Sequence, residues 1–138
     1  MKVRILAVGR VKAPYAGAQA EYLKMLVPKQ RVEVVEVKHG SDLPGRIGER
    51  DRLVCLDVRG RAMDSFEWSG WLDERRLDAR DVAIAIGGPD GLPDEVLERA
   101  DEVISFGPQT MAHQLARIVL LEQLFRAAKI LAGEPYHL

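Results

Sequence analysis

Three stretches of this 138-residue chain hold the side chains best suited to binding a ligand and moving a proton. The first is Gly87-Gly88-Pro89-Asp90-Gly91, which leaves the wholly apolar run Val82–Ile86. Glycine tolerates positive φ and lets a ligand approach the backbone closely. A turn at the carboxyl end of a central strand, followed by a helix opening at Pro93, is where open α/β sheets bind polar ligand groups. The same residues also suit an ordinary tight turn. NAD and ATP are not the expected ligands, because Val8-Gly9-Arg10 opens no Gly-x-Gly-x-x-Gly and no Gly-Lys-Ser/Thr occurs. The second stretch is Ser105-Phe106-Gly107-Pro108-Gln109-Thr110-Met111-Ala112-His113, an irregular polar loop. Its amides and the Thr110 hydroxyl suit an uncharged polar ligand such as a nucleoside, while Thr110 is also a candidate helix cap. His113 reads as a structural, hydrogen-bonding histidine. The third is Tyr136-His137, a stacking ring beside a titratable imidazole, the pair wanted next to a nucleobase, although such tails often only fray.

Composition removes several other chemistries. A single cysteine, Cys55, excludes an internal disulfide framework and Cys-rich zinc patterns, and three scattered histidines lack ligand spacing, so no metal is expected. Cys55 itself, inside RLVCLD, reads as a small buried hydrophobe. With 20 Lys and Arg against 21 Asp and Glu, the net charge of −1 implies no general affinity for nucleic acid, so RNA contacts must come from local patches. Arg46, Arg50, Arg52, Arg59 and Arg61 would form one if segments 46–52 and 57–61 shared an edge, and Arg75, Arg76 and Arg80 cluster again. A hydrophobic fraction of 47% excludes disorder, and apolar runs such as Ile118–Leu121 are far too short for a bilayer. Met1-Lys2-Val3-Arg4 leads into a strand and not a signal sequence, so one soluble, cytoplasmic domain over 1–138 is expected.

The elements that must position these residues alternate between short β-branched runs and longer helical patterns. Strands are expected at Lys2–Val8, Arg31–Val37, Arg52–Asp57, Val82–Ile86 and Glu102–Phe106, and helices at Pro14–Leu26, Asp64–Leu77, from Pro93 and at Met111–Leu131. Residues 38–50, with Gly40, Pro44, Gly45 and Gly48, read as a loop with at most one helical turn. Asp64 followed by Glu67 spells a capping box, and the helix after it presents Phe66, Trp68, Trp71 and Leu72. The unbroken VAIAI run fits a central parallel strand covered on both sides. Together these imply an α/β fold with a mostly parallel, five- to six-stranded sheet flanked by helices, and ligand-binding loops after Val8, Asp57, Ile86 and Phe106. The last helix is apolar around most of its circumference, which calls for burial or a subunit contact. Glu122 and Arg126 on it have the spacing of a solvated ion pair.

The combination of GGPDG after a buried strand with HQLARIVLLEQLFRAAKILAGEPYH to the end of the chain resembles the RlmH family of large-subunit ribosomal RNA pseudouridine N3-methyltransferases, within the SPOUT superfamily. The likeness runs from the VGR of the first strand to the PYH tail. It implies a homodimeric domain with a C-terminal trefoil knot, a feature that periodicity does not reveal, and S-adenosylmethionine as cofactor. The cofactor contacts it implies fall on Leu56, on Gly88, and on Gly107, Pro108, Gln109, Thr110, Met111 and Ala112. This chain departs from the family pattern at Ala112, where proline is common, in the shortened segment KHGSDLPGRIGERD, and at Leu138, where a basic residue often follows Tyr-His.

The chemistry so implied is methyl transfer to N3 of a pseudouridine in 23S ribosomal RNA, with the assembled ribosome as the expected substrate. N3 is an imide nitrogen that must lose its proton before or during attack. On this reading His137 is the base or orients it and Tyr136 positions the nucleobase, in the active site of either subunit, with Arg117 and Arg126 as lesser candidates for phosphate or dimer contacts. Other readings of the same residues are a SPOUT methyltransferase for another RNA nucleotide, a non-catalytic RNA- or ribosome-binding module, and a small-molecule nucleotide-binding domain.

Overall fold

A computed structural model describes residues 1–136 of the chain. The strands are β1 (Lys2–Val8), β2 (Arg31–Val37), β3 (Arg52–Ala62), β4 (Val82–Ile86) and β5 (Glu102–Ser105). The helices are α1 (Tyr15–Leu26), α2 (Ser65–Asp78), α3 (Asp94–Arg99) and α4 (His113–Leu131). All strand pairs are parallel, in the order β2-β1-β4-β3-β5, so among the described residues the sheet has five strands. The two moves toward the β2 edge carry α1 and α2 across one face, where Leu26, Trp68, Trp71 and Leu72 pack with α4. The two moves toward the β5 edge cross the other face, covered by Leu43, Ile47 and Val96. This division is what a single crossover handedness requires.

β4 sits third in the sheet and every one of its residues is buried, the reason for its unbroken apolar run. Burying side chains such as Ile5, Ile84, Leu120 and Leu124 completely contributes about 1.5–3 kcal/mol each. The expected capping box holds: the Asp64 carboxylate accepts from the Glu67 amide at 2.8 Å, and the Glu67 carboxylate accepts from the Asp64 amide at 3.1 Å. In α1 the apolar spacing is only partly used, since Leu26 is buried and Met25 exposed.

Several boundaries differ from the expectation for local reasons. The segment 38–50 forms two short 3-10 turns, Gly40–Asp42 and Pro44–Arg46, rather than at most one. Leu43 and Ile47 from this segment fill the sheet face, so a shortened connection still covers its side of the sheet. β3 continues past Asp57 to Ala62 because, after a register shift between Leu56 and Arg61, it pairs again with β5. α4 begins at His113 rather than Met111, with Ala112 as its N-cap and no side-chain cap bond, so Thr110 does not cap it. The apolar circumference of α4 is consumed largely within the subunit, where Leu120, Leu121, Leu124, Ala127 and Ala128 are buried. No helix among the described residues is long and apolar enough to cross a membrane.

One polar cluster ties the β5 edge to α2. Glu102 accepts from Arg52 Nε at 2.8 Å, Arg75 Nη1 at 2.6 Å and Trp71 Nε1 at 2.9 Å. Glu102→Ala would strand two guanidinium groups and an indole donor that are largely out of water, for an expected loss of about 2–4 kcal/mol of stability. Urea unfolding reads it as a lower midpoint at unchanged slope; an unchanged midpoint would contradict it.

Candidate active site

The middle of β3, where its register shifts after Leu56, and the carboxyl ends of β4 and β5 converge on one cleft of about 200 Å³. Leu56, Gly88, Gly107, Gln109 and Met111 line it, which brings together three loops that are distant in sequence. Pro108, Thr110 and Ala112 belong to the same 105–112 loop but are exposed and outside the lining. Asp57, Leu92, Phe106 and His113 line the cleft as well. Asp57 and Phe106 were legible only as strand ends, since nothing in their spacing marks them.

Backbone geometry explains the glycines here. A Cβ on Gly87 would overlap the Gly91 backbone and come within 2.7 Å of the Leu92 amide nitrogen, so any side chain forces the turn open. The turn is closed by a Gly88–Gly91 bridge. Gly107 has φ +104°, a conformation suited to glycine, and buried Ser105 braces it: Ser105 Oγ accepts from the Gly107 amide at 2.9 Å and donates to its carbonyl at 3.1 Å.

The electrostatics of the cleft are mild. No lysine or arginine among the described residues lines it. The Arg59 guanidinium and backbone amide bond Asp57 and hold its carboxyl below the usual carboxylate range. Burial, with some help from Asp57, pushes the Cys55 thiol up to about 11, consistent with an inert hydrophobe. His113, read from the sequence as hydrogen-bonded, makes no side-chain hydrogen bond among the described residues and faces the cleft instead. Apolar walls with backbone polar groups and no fixed cation suit a nucleoside better than a phosphate. No cluster of metal-ligating side chains occurs among the described residues.

Tyr136 lies elsewhere. Its ring packs edge-on against Phe125 at 5.5 Å, under the Arg126 guanidinium at 4.2 Å, beside a groove of about 490 Å³ that exposed Phe66 also lines. From His113 to Phe125, α4 rises about 18 Å, so Tyr136 does not line the cleft of its own subunit. Burial, reinforced by the Glu122 carboxylate, raises its phenol pKa. His137 lies outside the described residues.

The arginine expectations change in three places. Arg46, Arg50 and Arg52 precede or open β3 while Arg59 and Arg61 close it, so the two segments sit at opposite ends of a parallel strand and form no common patch. Arg117 is 1% exposed and donates to Glu36 at 2.6 Å and to the Gly9 carbonyl at 3.2 Å, which makes it an internal strut and not a phosphate contact. Arg126 does pair with Glu122 at 2.6 Å, but both are mostly shielded rather than solvated because Tyr136 covers them.

The family model described as "Predicted SPOUT methyltransferase" matches residues 1–137. A protein from Anaeromyxobacter sp. (strain K) named "Ribosomal RNA large subunit methyltransferase H" is 45% identical, with 99% of each chain covered. A protein of the same name from Carboxydothermus hydrogenoformans is 39% identical, again over 99% of each chain. Among solved structures, a probable methyltransferase from Bordetella pertussis superposes with a TM-score of 0.61 at 18% identity, covering 92% of this chain and 94% of that one. The methyltransferase AviRb from Streptomyces viridochromogenes, solved with AdoMet, gives 0.57 at 12% identity, covering 97% of this chain and 59% of that one. These structural likenesses bear on the fold, and the sequence matches decide the family: the chain belongs to the SPOUT methyltransferases.

Proposed function

We propose that this protein methylates N3 of a pseudouridine in large-subunit ribosomal RNA, using S-adenosylmethionine held in the cleft of Leu56, Gly88 and the Gly107–Ala112 loop. The observation that carries the reading is the convergence of β3, β4 and β5 on a cleft that no lysine or arginine among the described residues lines. The residues present fit the cofactor: Leu56, Phe106 and Met111 offer apolar contact, Gly87 and Gly88 let a ligand approach the backbone closely, and ionised Asp57 is the one carboxylate lining the cleft among the described residues. When bound, S-adenosylmethionine supplies an electrophilic methyl group on a sulfonium. Orientation of the nucleobase against the cleft supplies much of the rate. The His137 imidazole takes the N3 proton at a ring nitrogen, and Tyr136 positions the base.

That role for the tail implies a homodimer. Tyr136 packs toward the far end of α4 from the cleft, so a tail acting in catalysis serves the cleft of a second copy. Phe66, 75% exposed beside Tyr136, supports a partner on that side. The C-terminal trefoil knot and a single domain over 1–138 belong to the same reading, and an enzyme acting on assembled ribosomes would work in the cytoplasm.

The test is incubation with labelled S-adenosylmethionine and ribosomes from a strain lacking the modification, followed by mass spectrometry of nuclease fragments. A methyl group on N3 of a large-subunit pseudouridine is the expected product; transfer to another nucleotide would replace the substrate assignment, and no transfer would defeat the reading. A variant probes the cleft separately. Gly87→Ala is expected to weaken S-adenosylmethionine binding at least about tenfold, or 1.4 kcal/mol, by calorimetry, with the circular dichroism of the sheet retained. Wild-type affinity would move the cofactor out of this cleft.

A further inference from the structure

The loop after β1, Gly9 to Lys12, contains no regular structure, yet its backbone is held at nearly every polar atom. The Gly9 amide donates to the Val37 carbonyl at 2.8 Å, and the Gly9 carbonyl accepts from Arg117 Nη2 at 3.2 Å. The Arg10 carbonyl accepts from Gln114 Nε2 at 3.3 Å, and the Lys12 amide donates to Gln114 Oε1 at 2.9 Å. The Val11 amide donates to Glu36 Oε2 at 2.7 Å, and the Lys12 carbonyl accepts from the Tyr15 and Ala16 amides. A surface loop is ordinarily among the more mobile parts of a fold. This one is clamped by the first turns of α4 and the end of β2.

The clamp presents two side chains that it does not use. Arg10 and Lys12 are exposed, and neither forms an ion pair with a described residue. Lys38, exposed at the end of neighbouring β2, is equally unpaired among them. Glu36, whose carboxylate also feels the charge of Arg10, is bonded by Arg117 and the Val11 amide. A shallow cleft of about 260 Å³, lined by Val8 at the end of β1, Gly40, Pro93 and the GGPDG turn with its Asp90, shares Gly88 and Gly91 with the candidate site. Two exposed cations thus stand on a clamped loop one strand away from the proposed methyl-transfer cleft, with Lys38 one strand further out, on a protein whose net charge is only −1.

We infer that the β1–α1 loop is a preorganised phosphate-binding element: Arg10 and Lys12, assisted by Lys38, take the backbone phosphates of the RNA segment entering the cleft, and Gln114 and Arg117 hold the loop for them. This rests on the proposed RNA substrate. Cations fixed before binding lose less entropy on meeting phosphates than mobile ones, and each phosphate neutralised releases counterions, which makes the contact readable as salt dependence.

The experiment measures association of the full-length protein with purified large ribosomal subunits lacking the modification, across a salt series. For Arg10→Ala/Lys12→Ala the slope of log K against log salt is expected to fall in magnitude by about 1.4 to 1.8, with S-adenosylmethionine affinity unchanged, KM for the subunits raised and kcat retained. Lys24→Ala/Arg31→Ala, which removes the same charge from the opposite end of the sheet, is expected to leave the slope alone. Gln114→Ala keeps every cation but frees the loop, so it should weaken association at unchanged slope. An unchanged slope in the first variant, an equal fall in the second, or wild-type affinity in Gln114→Ala overturns the proposal. If wild-type protein neither associates with the subunits nor methylates them, the proposed function falls first, and this inference with it.

Discussion

Replacing Glu36 with alanine is expected to destabilise the protein by about 3–5 kcal/mol, because it leaves a buried guanidinium without its counter-charge. Arg117 is 1% exposed, and its 2.6 Å bond to Glu36 is its one ion pair among the described residues. The Gly9 carbonyl and Gln19 Oε1, at 3.2 and 3.3 Å, satisfy hydrogen atoms but not charge. Arg117 also carries an Nε with no hydrogen-bond partner, so the pair with Glu36 bears more of the burden. Chemical denaturation at neutral pH measures the loss directly, and a change under about 1 kcal/mol would show that water reaches the guanidinium.

The same pair sets an acid limit. Partial burial would raise the Glu36 pKa, but the Arg117 hydrogen bond, the Val11 amide and the charges of Arg117 and Arg10 outweigh it and hold the carboxyl below the usual carboxylate range. A folded-state pKa below the unfolded one means that the stabilisation is complete above the unfolded value and disappears as pH falls through the folded value. Stability of the wild type should therefore fall on acidification below about 4.5 more steeply than that of Glu36→Gln, which has no proton to gain there. Parallel pH profiles would remove this linkage.

The largest effect on turnover is expected for His137→Ala. If the imidazole takes the N3 proton, its loss should lower kcat by about 10²–10⁴-fold while S-adenosylmethionine affinity in the Leu56–Gly88–Gly107 cleft stays within twofold. The wild-type rate should rise with pH as the imidazole loses its proton, and that limb should vanish in the variant. Mixing His137→Ala with a Gly87→Ala protein tests the crossed arrangement: at S-adenosylmethionine concentrations too low to fill the Gly87→Ala cleft, heterodimers with one intact tail facing one intact cleft should exceed the activity of either parent. Undiminished turnover in His137→Ala would end the assignment, and no recovery on mixing would place the tail at its own cleft.

Strand and helix positions were legible wherever pattern and burial agree. VAIAI, KVRILAV and the Asp64–Glu67 box each report a local requirement: a strand covered on two faces, a neighbour to it, and an amide needing an acceptor. Where tertiary contacts set the outcome, local reading went astray. β3 ran on to Ala62 because β5 offered renewed pairing, and Thr110 lost its capping role because α4 starts at His113.

The site divides along the same line. By itself, the sequence determined the α/β class, the glycine turn and the loop that could hold a ligand, and the motifs that mark the family, since all of these are written in contiguous residues. Only the tertiary structure decided which of them meet. It placed Leu56, Gly88 and Gly107 around one cleft and set Tyr136 apart on Phe125 and Arg126. It also separated the two arginine segments to opposite ends of β3, and turned Arg117 from a surface charge into the strut of the Gly9–Lys12 loop. The physical reason is that charge, burial and reach are properties of neighbours in space, and in a sheet ordered β2-β1-β4-β3-β5 those neighbours are rarely neighbours in the chain.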